Sequence, residues 1–205
     1  MYLHRLLKRI HPACVRPLEN AQWRRRGYAA PSPSHVKHAV LLRAGMPEET
    51  WIETGTFLGD TTALLARRAR MVYSIEPEPK LHERAHRRFE GRRNVEILRG
   101  TSEEVLPGLL ARLCGDVNFW LDGHYSAGVT FRGPQDTPIV AELTAIAAAM
   151  PRLNRIAVMI DDLRCFNPRS PEHAAYPTRS ALVDWANRHG LTWHIEHDIF
   201  VARHH

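Results

Sequence analysis

Cysteine is scarce in this 205-residue chain: Cys14, Cys114 and Cys165 are odd in number, far apart, and without the paired short spacing of a zinc site or a disulfide framework. That scarcity points to a reducing compartment, and the cytoplasm is the expected location. Long apolar runs are missing too. The opening MYLHRLLKRI has Arg5, Lys8 and Arg9 scattered among its apolar residues, which leaves no uninterrupted stretch for a signal peptide, and no later segment reaches membrane-spanning length. A soluble chain with no membrane partner is expected. Acids are the minority charge, 22 against 28 Lys and Arg, for a formal net charge of +6. The excess gathers at Arg24, Arg25 and Arg26, at Arg67 and Arg68, at Arg87 and Arg88, and at Arg92 and Arg93. These segments read as solvated helix faces, so nucleic acid is not the expected partner.

What is present suits a single α/β domain. A hydrophobic share of 44% supplies a core, while 8% aromatic and 24% charged residues exclude disordered, collagen-like and coiled-coil chains. Leu3, Leu6, Leu7 and Ile10 recur at helical spacing and predict a short amphipathic helix with a basic outer face. Pro17, Pro31 and Pro33 then predict an irregular arm. Residues 1–33 therefore read as a helix plus an arm that would cover a ligand or a partner subunit in a homodimer, and residues 34–205 as the domain proper.

From residue 34 the pattern alternates. Helices are predicted over 34–44, 60–70, 79–89, 102–113, 138–150 and 179–189, and strands over 50–54, 71–75, 95–98, 117–121 and 156–160. Apolar strands alternating with helices of about ten residues predict a parallel sheet with helices on both faces. The final two runs, LTWHIE and IFVARH, are separated only by His197 and Asp198. A parallel crossover needs about a dozen residues, so this pair must be an antiparallel hairpin, leaving one strand that opposes the rest.

Ligands of such sheets sit beyond the carboxyl ends of the strands. The first strand ends at Glu53 and enters the turn Thr54, Gly55, Thr56, Phe57, Leu58, Gly59, with Thr61 in the helix beyond. Glycine there lets backbone approach a ligand, although such turns also need glycine for geometry alone. The second strand ends at Glu76, 21 residues after Gly55. A carboxylate at that spacing holds both hydroxyls of a ribose, one per oxygen. The turn has G-x-x-x-G in place of the G-x-G-x-x-G of dinucleotide binders, which favours a nucleoside ligand without a pyrophosphate, and S-adenosylmethionine meets that description. The competing reading of Glu76 is a solvated acid before the next helix.

The segments ETGTFLGDTT, VYSIEPEPKL, NVEILRGTSEEVLPGLL, FWLDGHYS and VMIDDLRCF, in this order, resemble consecutive motifs of class I S-adenosylmethionine-dependent methyltransferases over roughly residues 35–203. The resemblance implies a Rossmann-like seven-stranded sheet with its last strand antiparallel. It also implies that Glu53, Gly55 and Gly59 hold the methionyl part, that Glu76 holds the ribose, and that Gly100, Thr101 and Ser102 border the adenine. Relatives commonly carry an aspartate where this chain has Thr101.

The fourth strand ends at Asp122, followed by Gly123, His124, Tyr125 and Ser126, and the fifth ends at Asp161 and Asp162. Three carboxylates at adjacent strand ends suit Mg²⁺ or another divalent cation. This arrangement resembles in part the metal-dependent macrocin and novobiocin-type O-methyltransferases. Asp122, Asp161 and Asp162 are the expected ligands, and His124 is the candidate base that would deprotonate a metal-bound hydroxyl. Without a metal, Asp122 would orient the acceptor, and Asp161 and Asp162 would cap a loop. The loops 125–137 and 167–178 are the expected substrate walls, with Tyr125, Phe131, Arg132, Phe166 and Tyr176 as contacts. The absence of an Asn/Asp-Pro-Pro-aromatic segment after the fourth strand disfavours DNA-amino methylation. The expected activity is metal-assisted O-methylation of a hydroxylated small molecule, such as a sugar or natural product. The alternatives are a metal-independent methyltransferase and a non-catalytic nucleotide- or RNA-binding module.

Overall fold

The computed structural model describes residues 12–123, 137–167 and 169–204. Among them, seven strands form one sheet: β1 (Thr50–Thr54), β2 (Met71–Glu76), β3 (Val95–Arg99), β4 (Gly115–Leu121), β5 (Leu153–Ile160), β6 (Thr192–Glu196) and β7 (Ile199–Arg203). Their spatial order is β3-β2-β1-β4-β5-β7-β6. β1 to β5 pair in parallel, and β7 runs antiparallel between β5 and β6. The β6–β7 hairpin turns at His197 and Asp198, whose φ values of 50° and 69° are the pair of positive angles a two-residue type I′ turn demands. The expected sheet and its one opposed strand are both present.

Strand residues alternate between two apolar layers, as the pleat requires. Ile52, Phe119, Leu121, Val158, Ile160 and Phe200 enter one layer, while Trp51, Trp120, Met159 and Val201 enter the other. Each such fully buried side chain contributes roughly 1.5–3 kcal/mol relative to exposure. Among the described residues, seven α-helices accompany the sheet: α1 (Pro12–Arg25), α2 (Ser34–Ala44), α3 (Asp60–Leu65), α4 (Pro79–Arg88), α5 (Ser102–Leu110), α6 (Ile139–Ala149) and α7 (Arg179–Arg188). Leu106, Leu109 and Leu110 of α5 and Ile139, Leu143 and Ile146 of α6 cover the first layer, and Val40 and Leu41 of α2 with Leu65 of α3 cover the second. Among the described residues, no helix is long and apolar enough to cross a membrane.

Two elements differ from expectation. The segment after residue 12 is helical through Arg25 instead of irregular, with Pro17 inside the helix. Proline forfeits one backbone bond there. The helix is fixed by Trp23, buried at 8% exposure, whose Nε1 donates to the Ala29 carbonyl at 3.1 Å. The Trp23 ring also packs edge-on against Tyr28 at 5.0 Å and against His197 of the hairpin at 5.5 Å. The helix predicted over 60–70 stops at Leu65. Asn94 accounts for the stop, because its side-chain amide donates to the carbonyls of Ala66 at 2.9 Å and Ala69 at 3.1 Å and holds the chain in turns. The helix predicted over residues 1–10 lies outside the described residues.

Candidate cofactor and acceptor site

The turn after β1 is built around two buried acids. Glu53, at 1% exposure, has Oε2 accepting from the hydroxyls of Ser74 at 2.6 Å and Thr62. Burial pushes its pKa up to about 7, against the lowering effect of those hydroxyls. Thr56 extends the network, its Oγ1 lying 2.6 Å from the Ser74 hydroxyl. The carboxylate expected to touch a methionyl group is thus enclosed beneath the turn, where it braces β1, β2 and α3 together.

Glu76, at the end of β2, is also buried, at 4% exposure. Its Oε2 accepts from the Phe57 amide at 2.7 Å and its Oε1 from the Glu78 amide at 3.0 Å. Desolvation raises its pKa, and the two amides oppose the rise. Each carboxylate oxygen has a second lone pair, so both retain capacity for an incoming hydroxyl. The amide bonds fix the side chain against the β1 turn. They also explain Phe57, an exposed non-glycine residue at φ 49°.

The glycines serve backbone packing. A Cβ on Gly55, at φ 89°, would stand 2.5 Å from the Asp122 carbonyl oxygen, and one on Gly59, at φ 76°, 2.8 Å from the Phe89 ring. The amides of Gly55 and Thr56 donate to the Ile75 carbonyl, and that of Gly59 to Thr56. The ends of β1 and β4 consequently meet, the Asp122 amide donating to the Thr54 carbonyl at 3.1 Å. At that junction Thr54 Oγ1 is buried with no hydrogen-bond partner among the described residues, beside Gly123. An orphaned hydroxyl here fits a polar ligand group arriving between the two strand ends. Thr61, half-buried in α3, lies 3.3 Å from His38 Nε2.

After β3, Gly100 takes φ 138° and a Cβ there would meet Val105 at 2.8 Å. Thr101 precedes α5, its amide donating to Glu104 at 3.3 Å, and Ser102 is buried at 6% exposure with its hydroxyl 3.4 Å from Glu103. Both residues are engaged in starting the helix.

At the end of β5 the structure differs from the expected metal centre. Asp161 and Asp162 are 5% and 8% exposed. Lys37 Nζ, from α2, lies 2.6 Å from Asp161 Oδ2 and 2.9 Å from Asp162 Oδ1. Arg164 Nη1 reaches the same Asp162 oxygen at 2.5 Å and also the Asp198 carboxylate. Among the described residues, no group of three or more His, Cys, Asp or Glu side chains could hold a metal ion. The donor set does not fit a divalent cation, because the carboxylates already face ammonium and guanidinium groups of the chain. Burial raises Asp161 to about 6, with Asp162 adding to the rise and Lys37 opposing it, while the two aspartates raise Lys37 despite its own desolvation.

His124, Tyr125, Ser126, Phe131 and Arg132 lie outside the described residues. Phe166 and Tyr176, expected as substrate contacts, are 4% and 7% exposed, pack edge to face at 5.2 Å, and line a small cavity with Gly123, Glu142 and Asp161. Sequence reasoning missed Lys37, Arg164 and Asp198, whose meeting depends on pairing across more than 100 residues for Lys37 and on the hairpin turn for Asp198. It also missed Glu142 of α6, 1% exposed and standing 3.4 Å from where a Gly123 Cβ would lie. A glutamate on the apolar face of the 138–150 run was the available signal.

No family model matches the chain. A segment of 59 residues is 39% identical to a probable ribosomal RNA small subunit methyltransferase A of Methanosarcina mazei, covering 29% of this chain and 22% of that relative. The chain thus matches less than a quarter of that relative's length. Among solved structures, an N-methyltransferase, NodS, of Bradyrhizobium japonicum superposes with a TM-score of 0.54 at 16% identity, covering 83% of this chain and 94% of the other. A protein of Streptococcus mutans, described as a methyltransferase and solved with SAH, superposes with a TM-score of 0.51 at 16% identity over 85% of this chain and 98% of the other. At these identities the likeness is one of fold: the chain has the seven-stranded, Rossmann-like architecture of methyltransferases.

Proposed function

We propose that the chain is an S-adenosylmethionine-dependent methyltransferase whose chemistry uses no divalent cation. The observation that carries this reading is Glu76: a buried carboxylate at the tip of β2, tied by one amide to each oxygen, beside a rigid turn on a methyltransferase-type sheet. In this reading the remaining lone pairs of Glu76 accept the two ribose hydroxyls. Thr54 Oγ1 meets the methionyl end near Gly55 and Gly59, and Gly100, Thr101 and Ser102 border the adenine. Glu53, Thr56 and Thr61 act from behind, holding the turn. When bound, the cofactor supplies a methyl group on a sulfonium for in-line attack by the acceptor.

Asp122 and His124, at and after the end of β4, are the proposed acceptor-orienting group and base. An acceptor heteroatom bound there would pass its proton to His124 as the methyl group transfers. Calorimetry tests the cofactor assignment: Glu76→Ala should weaken S-adenosylmethionine binding about 10-fold or more by removing charge-assisted hydrogen bonds. Unchanged affinity would overturn it.

The acceptor has two candidate classes. A small hydroxylated molecule fits the strand-end position of Asp122. RNA is favoured by the name of the Methanosarcina relative and by the net charge of +6, which reverses the sequence-based preference against nucleic acid. Transfer of labelled methyl groups to total RNA, compared with a panel of hydroxylated metabolites, separates them, and RNA binding should weaken steeply with added salt.

A further inference from the structure

We infer that Lys37 is the resident cation of the β5 carboxylate pair, standing where a divalent ion would have to bind, so that helix α2 is both the lock on this strand end and the group that excludes metal. The inference rests on the proposed methyltransferase reading only for the site's purpose; its geometry is independent of any cofactor.

Three observations carry it. First, the ammonium bridges the two aspartates at 2.6 and 2.9 Å, with Lys37 itself only 14% exposed. An ion shared by Asp161 Oδ2 and Asp162 Oδ1 would need oxygen distances of roughly 2.0–2.6 Å. It would therefore have to enter the wedge that Nζ already fills, against a full positive charge. Second, two of the pair's oxygens take further donors from the protein side. Asp161 Oδ1 accepts the Asp162 amide at 2.7 Å, and Asp162 Oδ1 takes a second cation from Arg164 at 2.5 Å. Arg164 is in turn shared with Asp198, whose carboxylate also accepts the Arg164 amide at 2.7 Å. Third, the backbone is set for this pairing. Asp162 holds φ 55° and ψ 43°, a left-handed conformation that few residues besides glycine, asparagine and aspartate visit, and Leu163 donates to the Asp198 carbonyl at 2.9 Å. Helix α2, the β5 end and the hairpin turn thus converge through charged side chains, with a mobile external ion replaced by a tethered internal one.

The test is Mn²⁺ binding to the full chain, followed by electron paramagnetic resonance, with neither cofactor nor acceptor present. Wild type and an Asp161→Asn, Asp162→Asn double variant should titrate alike, any Mn²⁺ they hold being bound elsewhere. Loss of a binding event in the double variant would overturn the inference. In Lys37→Met, which keeps the apolar stem and removes the charge, Mn²⁺ affinity should rise on the order of 10-fold or more, as expected when one unit charge is removed a few ångströms from the ion. An affinity equal to wild type would show that Lys37 is not what excludes the metal. Should Lys37→Met fail to fold by circular dichroism, the comparison of wild type with the aspartate variants decides alone. Failure here leaves the calorimetric test of Glu76 intact, and failure of that test leaves this one intact, so the two readings fall separately.

Discussion

The two halves of the sheet manage buried acid in different ways. On the β1–β3 side, Glu76 is held by backbone amides of Phe57 and Glu78, and Glu53 by neutral hydroxyls of Thr62 and Ser74. On the β5–β7 side, Asp161, Asp162 and Asp198 are held by the charges of Lys37 and Arg164. Amides steady the Glu76 carboxylate without cancelling its charge, which suits the ligand-accepting role proposed for it, while the hydroxyls hold Glu53 as an internal brace. Ion pairs cancel the charge, which suits a junction that must stay shut. In the proposed reading the first half receives the ligand, and the second joins three distant segments.

Removing Lys37 should break the contrast most severely. Lys37→Met leaves two buried carboxylates against Arg164 alone, and loss of one partner of a buried pair costs about 3–5 kcal/mol. Urea unfolding should show that loss while S-adenosylmethionine affinity in the folded protein stays close to wild type. A loss of stability below about 1 kcal/mol would put Lys37 on a solvated surface instead.

Glu53 gives the next largest effect, and its sign follows from protons. The folded state binds the Glu53 proton up to about pH 7, whereas the ordinary glutamate value is 4.5, so the folded state holds more protons across that window. Stability from this group is therefore full below about pH 4.5 and falls as pH rises to about 7, by on the order of 3 kcal/mol, then levels off. Glu53→Gln, which still offers an oxygen to Thr62 and Ser74, should flatten that slope and be relatively more stable at pH 8 than at pH 5. Parallel pH profiles of wild type and variant would dismiss the assignment, and a large loss of cofactor affinity in Glu53→Gln would restore it to the ligand-contacting set.

Gly55→Ala should cost about 2 kcal/mol, since the residue sits at φ 89° and its Cβ would press on the Asp122 carbonyl oxygen. Chemical denaturation measures it. A neutral outcome would mean that the ends of β1 and β4 part easily, weakening the picture of a rigid receiving half. The smallest of these effects is the 10-fold loss of binding in Glu76→Ala, about 1.4 kcal/mol.

The fold of the β1–β3 half was the more legible. The Gly55 to Glu76 interval, the strand ends and the hairpin at His197 and Asp198 depend on neighbours close in sequence, and each carries a local rule about turns, spacing or crossover length. Helix α1 was hidden because Pro17 argues against helix locally, while Trp23 secures it through a contact with His197 that no local pattern announces. Asp161 and Asp162 were found as a pair, yet their partner was misread as an ion. Lys37 lies 124 residues away from Asp161 in a basic first turn that looks like any solvated helix start. Phe166 and Tyr176 were expected as substrate contacts on a polar loop, and their burial within the fold, beside Gly123 and Asp161, could not be read from that loop's composition.

The insertion of β7 between β5 and β6 has a consequence for the order of assembly. Strands β1 to β4, all within residues 50–121, can pair as a ribosome delivers them, and with them comes every partner of Glu76 and Glu53 named above. β5 must wait with one edge bare until residues 199–203 are made, and Arg164 must wait for Asp198. During synthesis, the turn around Glu53 and Glu76 can therefore take shape while the opposite flank is still an open strand.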